Sequence, residues 1–221
     1  MKRDWNLTEE DFKNAQILYE EEKIYPINEE TMFRAGLYCI LSAAEKYSKS
    51  RFVYQMFHMH MLDTPSRIIS NREKMKELVK KLRFPNMKEK HVYKFALWWP
   101  KTSIPSKIIE DIKHGRKNEF NLRNRLAEEA PGMSYKSSSL FMIKCGYENV
   151  VPIDLWMLRF LSHIGYEVEI PDYKTRSGPK KKEYLEYEKL ISEIARSYNV
   201  SPALFQFAVW SKHSTWNRKR I

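Results

Sequence analysis

Residues 131–154 read PGMSYKSSSLFMIKCGYENVVPID, and the fold turns on how this stretch divides. Pro131-Gly132 cannot continue the helical pattern that NEFNLRNRLAEEA carries up to Ala130, because proline removes an amide donor and glycine supplies the freedom a turn needs. YKSSSLFMIKC regains helical spacing at once. The stretch therefore predicts a helix, a tight hairpin and a second helix over residues 118–144. Such a hairpin leaves amides at the start of its second helix without carbonyl partners, beside the helix's positive end, and that arrangement suits a phosphate. An ordinary hairpin with a surface lysine has the same pattern, so the turn alone decides local fold and not chemistry. What adds chemistry is the spacing beyond it. Lys136 stands near the start of the second helix, and eighteen residues later Asp154 closes VVPID, where it follows a proline and begins a further helix.

Outward from this centre, helices are expected almost everywhere. Residues 8–22 open on Thr8 with acidic residues three on, then place Phe12, Ala15, Ile17 and Leu18 at helical spacing. Asn28 caps a segment running to Tyr47 that is apolar enough for a core helix. Further helices are expected at 48–61, 71–83, 86–97, 105–113, 118–129, 135–144, 152–164, 180–198 and 201–212. Only 166–170 alternates like extended chain, too short to found a sheet. The class is all-α. KTRSGPKKK at 174–182 is polar, contains Gly178-Pro179 and is expected as an exposed basic loop.

Composition bounds the rest. A chain of 221 residues buries a core without staples and accommodates one domain or two small ones. Two cysteines, Cys39 and Cys145, both in apolar surroundings, cannot supply a four-ligand zinc or iron–sulfur site, so no metal and no cofactor are expected. Read as buried free thiols, they fit a reducing compartment. No apolar run approaches a membrane span, and MKRDWNLTEEDF lacks the apolar core of a signal peptide, so a soluble intracellular protein of the cytoplasm or nucleoid is expected. The net charge of +11 attracts polyanions in a sequence-independent way, although a solvated surface accounts for it equally well.

The hairpin and the aspartate together resemble the helix-hairpin-helix DNA glycosylase superfamily, whose signature is an LPGVGxK-like hairpin followed at this distance by an aspartate in a VPVD-like stretch. The matching residues are Pro131 to Lys136 and Val151 to Asp154. ILSA at 40–43 resembles the helix before the family's DNA-wedging loop, and LRFPNMKEKHV at 82–92 resembles its GLYNSKAENI-like segment. The resemblance implies two helical subdomains, 38–148 carrying the hairpin and 1–37 with 149–221, and an active site in the cleft between them. It implies a bifunctional base-excision-repair glycosylase and abasic-site lyase acting as a monomer on double-stranded DNA with a damaged base. Lys136 would be the Schiff-base nucleophile and Asp154 the carboxylate that stabilises charge on the sugar and assists deprotonation of the amine.

Iron–sulfur branches of the superfamily carry four cysteines after the aspartate helix, which this chain lacks, and the alkylation-repair branch generally lacks the lysine. The short archaeal and bacterial 8-oxoguanine glycosylases remain the nearest resemblance. A glycosylase for oxidised pyrimidine and a non-catalytic hairpin module are the alternatives. On this resemblance Gly132 and Ser134 of the hairpin and Trp156 meet DNA; by their charge Lys180, Lys181 and Lys182 and the tail residues Arg218, Lys219 and Arg220 are expected to join the hairpin amides, that of Lys136 included, in a phosphate-binding surface. Leu140, one turn beyond Lys136, and Trp210 would line the base pocket, near Lys212, His213 and Trp216. Departures from the family pattern are Ser134 in place of a hairpin glycine, Trp156 where a histidine is common, and Ala44 where relatives place an Asn or Gln that fills the gap left by the flipped base. Tyr47 is the expected substitute wedge.

Overall fold

The computed structural model describes residues 4–171 and 178–214. In these residues the regular structure is helical: α1 (Glu9–Glu22), α2 (Glu29–Ser42), α3 (Tyr47–Met59), α4 (Pro65–Ser70), α5 (Arg72–Val79), α6 (Pro85–Trp98), α7 (Ile104–Lys113), α8 (Glu119–Glu129), α9 (Tyr135–Lys144), α10 (Leu155–His163), α11 (Lys181–Ser197) and α12 (Pro202–His213), with a 3-10 turn at Trp99–Lys101. No helix among the described residues is long and apolar enough to cross a membrane. The two expected caps form reciprocal pairs: Thr8 with Asp11 on α1, and Asn28 with Thr31 on α2.

The chain divides into two units, residues 24–145 and residues 1–23 with 146–221. The expected divide at 37/38 falls inside α2, a continuous helix whose buried face runs from Met32 to Leu41 and packs on α3, α6 and α9. The helix therefore belongs whole to the hairpin's unit. Where the chain enters and leaves that unit, Ile24 N–H donates to the Lys144 carbonyl at 2.9 Å, so the unit's two ends are adjacent.

Within 24–145, α2 is the central helix. Phe33 stacks on Phe95 of α6 at 5.5 Å, and Trp99 closes the cluster 5.2 Å from Phe95. Gly36 is what lets these elements close: a Cβ there would stand 2.5 Å from Phe95 Cζ and 3.4 Å from Met133 Cε of the hairpin. The α8–α9 pair is tied by Arg123, wholly buried, which donates to Ser139 Oγ at 2.9 Å and lies 5.2 Å from the Tyr135 ring. Cys39 and Cys145 are both buried free thiols, and burial pushes the Cys145 thiol pKa up.

In the other unit α1 packs along α12, with Tyr19 5.7 Å from Phe207 and Phe12 6.5 Å from Phe205. Phe160 of α10 meets Phe205 edge-on at 5.4 Å. Two differences from the sequence reading concern helix limits. α2 stops at Ser42 rather than continuing to Tyr47, and residues 65–70, outside the helices expected from sequence, form α4 with Pro65 in its first turn.

Candidate active site

The hairpin is the loop Ala130–Ser134 between α8 and α9. Gly132 adopts φ +80°, where L side chains are strained, and a Cβ there would lie 2.6 Å from His91 Cβ of α6. Glycine is thus required twice, by its backbone angle and by the helix beneath it. Burial is the main influence that lowers the His91 pKa, with Lys90 and Lys94 adding to it, so the imidazole under the hairpin is biased to its neutral form. Ser134 has no need of glycine's freedom: at φ −111° it is the N-cap of α9, its Oγ accepting from Ser137 N–H at 3.4 Å. Its own N–H donates to Ser137 Oγ at 2.6 Å, so this amide is engaged in the cap rather than presented to a ligand.

Lys136 occupies the second position of α9 and is half-buried. A cation at the positive end of a helix opposes the macrodipole by about 0.3–1 kcal/mol. Stability therefore does not account for a lysine there. Leu140 is half-buried on the same helix one turn on, which aligns it with the Lys136 face.

Asp154 lies in the other unit, at the end of an extended segment held by α11. Val151 N–H donates to Glu188 Oε1 at 3.0 Å, Ile153 N–H to the Tyr184 hydroxyl at 3.2 Å, and that hydroxyl donates to the Val151 carbonyl. Asp154 is the N-cap of α10, its Oδ1 accepting from Trp156 N–H at 2.9 Å and Met157 N–H at 3.0 Å. The cap fixes the carboxylate's orientation through one oxygen. Trp156, half-buried, stacks on His213 at 6.0 Å with the Arg159 guanidinium 5.0 Å from its ring.

A sequence model of 8-oxoguanine DNA glycosylases, of the helix-hairpin-helix type, matches residues 13–200. The chain belongs to the 8-oxoguanine DNA glycosylase family. Among the relatives of this family, the 8-oxoguanine DNA glycosylase/AP lyase of Sulfolobus acidocaldarius is 28% identical over 191 residues, 85% of this chain and 84% of its own. That of Methanocaldococcus jannaschii is 35% identical over 104 residues, 47% of this chain and 48% of its own. The fold is also that of solved family structures. The 8-oxoguanine DNA glycosylase of Thermotoga maritima superposes with TM-score 0.72 at 22% identity, covering 92% of this chain and 90% of that one. The M. jannaschii glycosylase/lyase in complex with a 15mer DNA containing 8-oxoguanine gives 0.68 at 22% identity, covering 92% and 86%.

The remaining expected contacts belong to several elements of the two units. Tyr47 begins α3 and its hydroxyl accepts from Arg51 at 2.8 Å. Lys180, Lys181 and Lys182 are exposed at the start of α11. Trp210 is half-buried on α12. Lys212 donates to Asp11 at 2.9 Å and to the Asn6 carbonyl. Residues 174–177 of the basic loop, Trp216, Arg218, Lys219 and Arg220 lie outside the described residues. One residue was not legible in sequence. Phe84, just before α6, is 50% exposed at φ +53°, a strained angle for an aromatic residue.

Proposed function

We propose that this chain releases 8-oxoguanine from duplex DNA and then cleaves the strand at the abasic site, with Lys136 as nucleophile and Asp154 as its carboxylate partner. The observation that carries the reading is a lysine at the second position of the hairpin's second helix, in a chain of this family, where stability disfavours a cation. The Lys136 amine attacks C1′, the bond from C1′ to the base breaks, and the base leaves with the electron pair and takes a proton. Loss of the amine proton and opening of the sugar ring leave a Schiff base. Removal of a C2′ proton then expels the 3′ phosphate by β-elimination. Asp154, a capping carboxylate, is suited to stabilise positive charge developing on the sugar.

The phosphate-binding part of the proposal rests on the amides of Gly132 and Lys136 at the start of α9, with Lys180, Lys181 and Lys182 as exposed cations. For the wedge, Phe84 is favoured over Tyr47, because its ring is exposed at a turn whereas the Tyr47 hydroxyl is held by Arg51. The deciding experiment is borohydride reduction on abasic duplex. Wild type is expected to form a covalent adduct and Lys136→Gln none, while Lys136→Gln still binds the duplex. An adduct from Lys136→Gln would show that another amine is the nucleophile. A panel of duplexes carrying 8-oxoguanine, thymine glycol or uracil distinguishes the oxidised-purine reading from an oxidised-pyrimidine one.

A further inference from the structure

Lys88 of α6 is 1% exposed, and its Nζ donates to the Leu41 carbonyl at 2.7 Å. Withdrawing an ammonium from water is costly unless hydrogen bonds and charge partners offset the lost hydration. What Lys88 holds is the end of α2. The last four carbonyls of a helix lack intrahelical donors, and here each is answered. Cys39 accepts from Ser42 Oγ at 3.1 Å, Ile40 from Ala43 N–H at 3.4 Å, Leu41 from Lys88, and Ser42 from Glu45 N–H at 3.2 Å. Lys88 is the member of this set that comes from a distant part of the chain.

Two turns meet at this point. In the first, Ala44 is exposed at φ +55° and the Glu45 carboxylate that follows accepts from Arg83 N–H at 2.7 Å and Lys46 N–H at 3.0 Å. Burial works to raise the Glu45 pKa, but these amide bonds outweigh it and hold the carboxyl below its ordinary value. In the second turn Arg83 precedes Phe84, also left-handed and exposed, whose carbonyl accepts from Lys88 N–H at 3.0 Å. Left-handed non-glycine residues at the tips of two tied turns are strain that the surroundings must impose, and such strain gathers at functional sites.

We propose that Lys88 is a positioning residue for base extrusion: with Glu45 it locks the 43–46 and 82–85 turns into one rigid edge that presents Ala44 and Phe84 to the DNA. The inference rests on the glycosylase reading and concerns the step before chemistry. The charged groups around Lys88 are Glu45 after α2, Lys49 of α3, Arg83 before α6 and Lys136 of α9. Burial is the largest influence and brings the Lys88 pKa down to about 8.

The test compares single-turnover release of 8-oxoguanine with strand scission at a preformed abasic site, which has no base to extrude. Lys88→Met is expected to slow base release about 10- to 100-fold, the effect of losing a hydrogen bond from a charged group. Scission and borohydride adduct at the abasic site stay within about threefold, since no unstacking is needed, and Lys88→Arg restores base release. In wild type the ratio of base release to scission falls above pH about 8 as Lys88 loses its charge, and in Lys88→Arg it stays level. Equal loss of both activities in Lys88→Met, or failure of Lys88→Arg to restore base release, overturns the proposal. If Lys88→Met does not fold, Lys88→Gln, which keeps a donor without the charge, takes its place in the same comparison. Failure of wild type to form any borohydride adduct sinks the glycosylase reading instead, whereas a normal adduct with undiminished base release by Lys88→Met sinks only the role of Lys88.

Discussion

Replacing Gly132 by alanine tests the hairpin at the point where its geometry is most constrained. The left-handed angle, φ +80°, costs an alanine about 1–2 kcal/mol. The new methyl would also stand 2.6 Å from His91 Cβ, 2.9 Å from Cγ and 3.2 Å from Nδ1. The nearest of these atoms is fixed to the α6 backbone and cannot swing aside, so overpacking adds about 1–3 kcal/mol. Together they give about 2–5 kcal/mol, or a melting temperature lower by about 4–20 °C in a protein of this size. Thermal unfolding followed by circular dichroism measures this directly. Adding His91→Ala is expected to return little of the loss, because the offending Cβ remains. A Gly132→Ala protein that melts within about 2 °C of wild type, less than about 1 kcal/mol, refutes the reasoning. Full recovery in the double variant would mean that the imidazole ring, and not the backbone, sets the constraint.

Asp154→Asn keeps an oxygen acceptor for the Trp156 and Met157 amides, so the melting temperature is expected to change little while base release falls about 100- to 10,000-fold. Asp154→Ala loses about 1 kcal/mol of capping as well, and near-normal activity of Asp154→Asn would reduce the residue to a cap. Replacing Lys180, Lys181 and Lys182 together by alanine is expected to flatten the dependence of log affinity on log salt by about 0.9 for each phosphate no longer neutralised, hence by up to about 2.7. Fluorescence anisotropy on undamaged duplex reads the slope, and an unchanged slope makes these three lysines a solvated surface only.

Much of this was legible because local signals and tertiary structure agree. Thr8 and Asn28 cap helices as their sequences indicate, and the Pro131-Gly132 break and the Asp154 cap fall where the chain's own chemistry puts them. The misses arise where distant residues decide. Ala43, Ala44 and Glu45 are good helix formers, yet α2 ends at Ser42 because Lys88 takes the Leu41 carbonyl and Glu45 is drawn to Arg83. Lys88 sits in KEK, which reads as a solvated charge run, and only packing reveals that its side chain is buried while Phe84 four residues earlier is exposed. The short α4 has a proline at its start and too few residues to show periodicity. The roles of Lys136 and Asp154 were implied by their spacing and family resemblance, since neither residue type carries a chemistry by itself.

The pairing of α1 with α12 sets an order of assembly. Lys212 reaches Asp11 across 201 positions of sequence, and Tyr19 must wait for Phe207. During synthesis α1 therefore precedes α12 and stays without this partner while residues 24–145, a continuous segment with adjacent ends, are made and are free to fold. Closing so long a loop is slow compared with the local pairings of the inserted segment. A helix made before residues 24–145 thus finds its place only after them, and until α12 arrives the apolar face of α1 stays uncovered.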